Sequence, residues 1–354
     1  MNEFLQLPAD KRRVIYEQVA FRMGIDDPKA IEKDVWVTGI LQTVFTLPYA
    51  EKLVFKGGSS LGKIWNLISR FSEDIDLAID RSVFGLEGDL TKKQLKKLRK
   101  ASSLFVKDFF AVDLQHAAED NGLAEYCMIT AEPDGEGDST YPEPRKIHIA
   151  YESVYGNAVS DYLKPEVLLE IGARSLFEPT SVARVKSFIS EHSAINTDVA
   201  DVDIVAALPE KTFLEKAFLL HELFTTSGCR MANRKSRHMY DLMQMMDEPF
   251  ALQAVSNDEL WQTIHHHREI FTSVKDVDYT PDIRKRIVLT PPEEFMKVWR
   301  EDYNAMQESM IYGGHIPFEQ LLERIRELQS RFRSNSHNND ENAQLTSDIF
   351  ARYI

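Results

Sequence analysis

The chain has only two cysteines, Cys127 and Cys229, in 354 residues. That excludes a disulfide framework, and neither thiol has a partner at metal-binding spacing, so two packed thiols in a reduced setting are expected. No apolar run reaches membrane-spanning length, and MNEFLQLPADKRR lacks the apolar core of a signal peptide, so a cytoplasmic protein without a membrane partner is expected. An excess of basic residues is also missing. A net charge of −14 argues against a protein that coats nucleic acid generally. It leaves room for a local basic groove, at Lys92–Lys100 or at Arg230–His238; the first reads as a solvated helix face. Internal repeats, a P-loop, a GxSxG elbow and a dinucleotide fingerprint are all absent. His265-His266-His267 does not make a metal tract, because consecutive helical residues project about 100° apart. His221-Glu222 lacks the second histidine of a zinc hydrolase motif.

What is present is a globular composition, 43% hydrophobic and 28% charged, on a chain long enough for one large or two ordinary domains. The chain is organised around Leu53 to Asp80, LVFKGGSSLGKIWNLISRFSEDIDLAID. A short apolar run, Leu53-Val54-Phe55, stops at Gly57-Gly58. Ser59 and Ser60 are positioned to cap a helix whose apolar side carries Leu61, Ile64, Trp65 and Ile68. The next segment alternates, with Ile75, Leu77 and Ile79 on one face and Asp74, Asp76, Ala78 and Asp80 on the other.

The acidic face is unusual. Asp74 and Asp76 point the same way from one strand, and like charges side by side repel. A solvated strand face explains them; so does a divalent cation. Mg²⁺, or Mn²⁺ in its place, suits one or two carboxylates completed by substrate phosphates. The Gly57-Gly58-Ser59-Ser60 turn supplies the phosphate side, since glycine admits a phosphate close to the backbone and free N–H groups face it. Lys63, one helical turn after Ser59, is placed to add a cation. Arg70 and Ser72 are placed with the nucleotide-binding residues. A phosphate on Ser72 would add about −2 charge beside the metal carboxylates.

Strand, GGSS, helix and DxD strand in one short unit resemble the hG(G/S)…DhD signature of the DNA polymerase β-like nucleotidyltransferases. The fuller string FKGGSSLGK…RFSEDIDL is similar to one family within them, the AbiEii/AbiGii-type nucleotidyltransferase toxins, related to the MenT-type toxins. The resemblance extends from about Glu32 to Leu328, through KTFLEKAFLLHEL, SRHMYDL and EDYNAM…MIYGG. The chain departs mildly from the family pattern at Lys211 and Leu214. The resemblance implies a third metal carboxylate on a neighbouring strand, which falls on Glu170 in PEVLLEIG. It also implies functional roles for Lys216, contacting the triphosphate, and Asp241, lining the same cleft. The residues alone suggest blander roles. A lysine on an apolar helix ordinarily snorkels to the surface, and Asp241 is spaced to pair with Arg237 at i,i+4.

Elsewhere, helices are expected over Asp10–Met23 and from Pro28 to about Phe45, the second carrying Ile31-Glu32-Lys33-Asp34-Val35-Trp36 without assigned chemistry. A long helix is expected from Thr91 to Ala118, strands over 126–130, 146–151 and 167–171, and helices from about Ser181 onward. The expected division is 1–48 N-terminal helices buttressing the core, 49–185 nucleotidyltransferase core, 186–333 helical domain closing the cleft, and 334–354 a flexible tail. The fold class is α/β (α+β), a polymerase β-like core with a small mixed sheet plus a C-terminal helical domain.

The expected function is nucleotidyl transfer from an NTP by the toxin of a toxin–antitoxin or abortive-infection pair. The resemblance implies the tRNA 3′ end as acceptor and an antitoxin encoded nearby. The alternatives are a transferase of the same fold acting on a protein or small molecule, and a non-catalytic nucleotide-binding module.

Overall fold

Strand periodicity determines the core. Ile75, Leu169 and Ile147 are all buried, and they stand side by side on three adjacent strands. Their burial fixes the register, since a slip of one residue would turn each apolar set outward. The computed structural model describes residues 2–72, 74–156, 163–192, 201–312 and 314–351. It divides the chain into two compact units, Met1–Leu208 with Met310–Gly313, and Pro209–Ser309 with Gly314–Ile354.

The first unit is a mixed α/β fold around a seven-stranded sheet. Its strands are β1 (Leu53–Lys56), β2 (Asp74–Ile79), β3 (Cys127–Ala131), β4 (Arg145–Tyr151), β5 (Glu166–Gly172), β6 (Thr180–Val185) and β7 (Val202–Ala207). They lie in the order β3-β4-β5-β2-β1-β7-β6. β2 runs antiparallel to β1 and parallel to β5, and β5 runs antiparallel to β4. Helices α1 (Asn2–Leu5), α2 (Ala9–Met23), α3 (Lys29–Val44), α4 (Gly57–Lys63), α5 (Lys92–Phe105), α6 (Ala111–Asp120) and α7 (Phe188–His192) belong to this unit. α3 is almost wholly buried. Its Trp36 stacks on Tyr151 of β4 with centroids 4.7 Å apart, and its Glu32 carboxylate accepts hydrogen bonds from Ser153 and the Val154 N–H.

The second unit is helical: α8 (Pro209–Phe224), α9 (Ser236–Met245), α10 (Pro249–Ser256), α11 (Asp258–His267), α12 (Met296–Ser309) and α13 (Phe318–Ala351). Phe213, Phe218, Trp261, Trp299 and Phe332 fill its core. Among the described residues, no helix is long and apolar enough to cross a membrane.

Two sequence expectations are corrected. The segment after Ser181 is not purely helical, because β6 and β7 extend the sheet and the first unit runs to Leu208. VDIVAA is a short strand that pairs antiparallel with β6 along its whole length and meets β1, about 150 residues earlier, in parallel. The helix expected over 251–271 is two helices, because Asn257 leaves the helical conformation and its side chain accepts from the Leu260 N–H, starting α11. The polar stretch from 334 falls on α13, which runs to Ala351. In the histidine tract, His265 faces the Tyr279 carbonyl and His267 stacks on Phe271.

Candidate active site

β2 carries its two aspartates on the face opposite the core. Asp74 and Asp76 are half-buried, whereas Ile75 and Leu77 are buried. The register extends this face across the sheet. Asp76 stands beside Lys56 of β1 on one side and Glu170 of β5 on the other, and Glu170 stands beside Lys146 of β4. Four neighbouring strands therefore present Lys56, Asp76, Glu170 and Lys146 in one row, with charges alternating at its ends. In the next row Asp74 stands beside Leu168, and Leu168 beside His148.

The glycine turn approaches this row closely. Gly57 has φ +76°, and a Cβ built on it would lie 2.1 Å from Asp76 Oδ2. Only a residue without a side chain leaves the carboxylate that position. A Cβ on Gly58 would lie 2.6 Å from Arg70 Nη2 and 3.0 Å from Ser72 Oγ. The Arg70 guanidinium is buried and donates to the Phe71 carbonyl at 2.9 Å. Two residues expected to cap the helix after the turn do other things. α4 starts at Gly57 with Lys56 as its flanking residue. The Ser59 hydroxyl donates to the Asp74 carbonyl, tying the turn to β2, and Ser60 donates to the Gly57 carbonyl at 3.0 Å. α4 is only seven residues long, so the local N–H groups, rather than a macrodipole, are what the turn offers.

Lys63 lines the same small cavity as Ser59, Arg70 and Ser72. Its ammonium pairs with Asp34 of α3, almost out of water, and sits 5.2 Å from the Phe188 ring centroid. Asp34 also accepts from the Phe188 N–H at 2.7 Å. The Lys63 charge is thus balanced by a residue to which the sequence assigned no chemistry. Ser72 precedes β2, which begins at Asp74; Glu73 lies outside the described residues. Beside Ser72, the segment Met310–Gly313 joins this unit. Phe71 N–H donates to the Met310 carbonyl at 2.8 Å and Tyr312 N–H to the Ser69 carbonyl at 3.0 Å. Phe71, Phe188 and Tyr312 then line a small cavity with Ser59, Arg70 and Ser72.

Glu170 stands directly beside Asp76 in the sheet. Among the described residues, no group of three or more His, Cys, Asp or Glu side chains is arranged to hold a metal ion. The Glu170 carboxylate is 3.1 Å from the Lys146 ammonium. Burial alone would lower the Lys146 pKa, but Glu170, Glu132 and Asp74 outweigh it and hold the ammonium above its ordinary value. Sequence reasoning missed Lys146. The signal was there: in RKIHIAY the residues alternating with buried Ile147 and Ile149 are Lys146 and His148. His148 Nδ1 lies 2.6 Å from Glu166 Oε1.

In the second unit, Lys216 of α8 does not snorkel. It is 6% exposed, and its Nζ lies 2.9 Å from Asp241 Oδ2 on α9. Asp241 is fully buried and pairs with Lys216 across the two helices. His238 Nδ1 is 3.4 Å from the same ammonium. The loop before α9 is held by Asp302 of α12, which accepts from the Arg234 N–H at 2.6 Å and the Ser236 N–H at 3.1 Å. The EDYNAM segment thus has a clear local task.

The family described as "Nucleotidyl transferase AbiEii toxin, Type IV TA system" matches residues 40–324, most of the chain. No curated protein matches. Among solved structures, the nucleotidyltransferase toxin MenT4 from Mycobacterium tuberculosis H37Rv is similar, with a TM-score of 0.51 at 13% identity, over 92% of this chain and 89% of that one. At that identity the likeness is one of fold.

Proposed function

Because the chain belongs to the AbiEii family of nucleotidyltransferase toxins, we propose that it transfers a nucleotidyl group from an NTP to an acceptor hydroxyl such as the tRNA 3′ end. It acts in the cytoplasm, and an antitoxin encoded nearby restrains it. The observation that carries this reading is the position of Asp76. Its carboxylate lies against the bare Gly57 backbone and two residues from Asp74 on the same strand face. Two hard carboxylates there fit Mg²⁺ or Mn²⁺, with substrate phosphates completing the shell. We assign the metal to Asp74 and Asp76, with Glu170 as the neighbouring carboxylate.

A divalent cation at this place would neutralise charge on the α-phosphate and on the departing pyrophosphate. The turn at Gly57, Gly58, Ser59 and Ser60 would cradle the phosphates with backbone N–H groups, and Arg70 behind Gly58 would add positive potential. The acceptor oxygen attacks the α-phosphorus, the bond to the β-phosphate oxygen breaks, pyrophosphate leaves, and the hydroxyl proton passes to solvent. In the second unit we assign functional roles to Lys216 and Asp241. Asp241 holds the Lys216 ammonium within 2.9 Å and so fixes the direction of its charge.

The test is to supply α-³²P-labelled NTPs, one at a time, with Mg²⁺ and a cell extract. A labelled tRNA band that vanishes with Asp76→Asn is expected. Label on protein or on a small molecule instead would replace the acceptor; NTP binding without pyrophosphate release would replace the enzyme reading with a binding module.

A further inference from the structure

The Lys146 ammonium pairs with the carboxylate proposed as the third beside Asp74 and Asp76. It holds Glu170 at 3.1 Å, and Glu170 stands directly beside Asp76 in the sheet. Lys146 is flanked on the same face by further acidic charge. The Glu132 carboxylate accepts from the Lys146 backbone N–H at 3.2 Å. Both Lys146 and Glu170 are only partly exposed, with 39% and 25% of their side-chain surface open, so solvent screens the pair incompletely. A row of carboxylates that would otherwise attract a divalent ion strongly thus already contains a cation supplied by the chain.

Resting on the metal reading above, we propose that Lys146 is the resident counter-ion of this carboxylate row: it keeps Glu170 away from the metal and weakens metal binding until the ion arrives together with a nucleotide triphosphate. The physical basis is charge balance. A divalent cation entering beside Asp74 and Asp76 meets repulsion from an ammonium one strand beyond Glu170. A triphosphate bound at the glycine turn adds negative charge that offsets this repulsion. The free protein then holds its metal loosely, and the metal–nucleotide complex is the species that binds tightly. Lys146 is in this sense a positioning residue, acting on the metal through Glu170.

The test is Mn²⁺ binding by the full chain, followed by electron paramagnetic resonance without nucleotide. Lys146→Met should bind Mn²⁺ at least about tenfold more tightly than wild type, on the order of the Coulomb term of one removed charge at this range. Lys146→Arg keeps the charge and should match wild type. With a non-hydrolysable NTP present, the gap between wild type and Lys146→Met should shrink. Equal Mn²⁺ affinity for wild type and Lys146→Met overturns the proposal, as does Lys146→Arg behaving like Lys146→Met. A gap that the nucleotide leaves unchanged overturns the coupling to the triphosphate. Adding Asp76→Asn to Lys146→Met separates the two readings. If the tighter binding survives in that double variant, the ion is not at Asp76 and the metal assignment itself fails. If Asp76→Asn alone abolishes binding while Lys146→Met matches wild type, the metal assignment stands and only the role of Lys146 falls.

Discussion

The carboxylate of Asp76 lies where a side chain at position 57 would have to be, 2.1 Å from a Cβ built on Gly57. The turn and the acidic strand are therefore fitted to each other at one atom. Gly57→Ala meets two obstacles, the collision and a φ of +76°. It should displace Asp76 and reduce turnover at least about a hundredfold, roughly 2.7 kcal/mol of transition-state stabilisation. Pyrophosphate release by Gly57→Ala and by Gly62→Ala is the comparison. A Cβ on Gly62 comes no closer than 3.6 Å to a neighbour, so that variant should keep most of its activity.

Lys216 and Asp241 form an ion pair with side chains 8% and 0% exposed. Removing one member leaves a buried charge without its partner, a loss of about 3–5 kcal/mol. Lys216→Met should therefore lower the melting temperature of the second unit markedly. Lys216→Met with Asp241→Leu should recover most of that loss, because replacing both charges removes the stranded one. If the double variant regains stability but not turnover, the pair is functional; recovery of both would make it a packing device.

His221 is buried in α8, and its Nδ1 accepts the Val288 N–H at 3.1 Å. Burial pushes its pKa down from 6.5 to about 4. The folded-state value is depressed, so the unfolded chain binds the extra proton first. The stability contributed is fully present above about pH 6.5 and is lost as the pH falls toward about 4, by up to about 1.4 kcal/mol per pH unit. Urea titrations of wild type and His221→Gln between those values should differ in slope by close to one proton. Parallel curves would show that His221 does not carry this dependence.

Ser72 Oγ and Arg70 both lie against Gly58. Ser72→Glu places a carboxylate next to the phosphate turn and should weaken NTP affinity at least about tenfold, measured by fluorescence titration with a labelled nucleotide. Ser72→Ala removes only a hydroxyl and should stay within about threefold of wild type.

What the sequence made legible follows from its periods. Asp74, Asp76 and Glu170 were assigned to the open sheet face because a strand alternates with period two, and the burial of Ile75, Val167 and Leu169 bears this out. The same rule places Lys146 on that face, but a lone lysine on a strand looks like ordinary surface until its neighbours across β5 are known. Lys216 could not be judged locally. Its burial is tolerable only because Asp241 reaches it from another helix, 25 positions later. The pairing of Lys63 could not be read locally either, since its partner Asp34 lies on a helix that precedes the turn. β7 was not legible because it is held by pairing with β6 and β1, and the sequence does not show which strands become its neighbours.

The backbone contacts of Phe71 with Met310 and of Tyr312 with Ser69 impose an order on biosynthesis. A chain emerging from the ribosome makes the glycine turn and the aspartate strand early. The segment immediately before that strand stays without its backbone partner until residue 312 of 354 has been added. Domains generally fold from the N-terminus as they are made, yet here an early loop waits for late residues. The loop that leads into the aspartate strand therefore completes its backbone pairing only after residue 312 has been made.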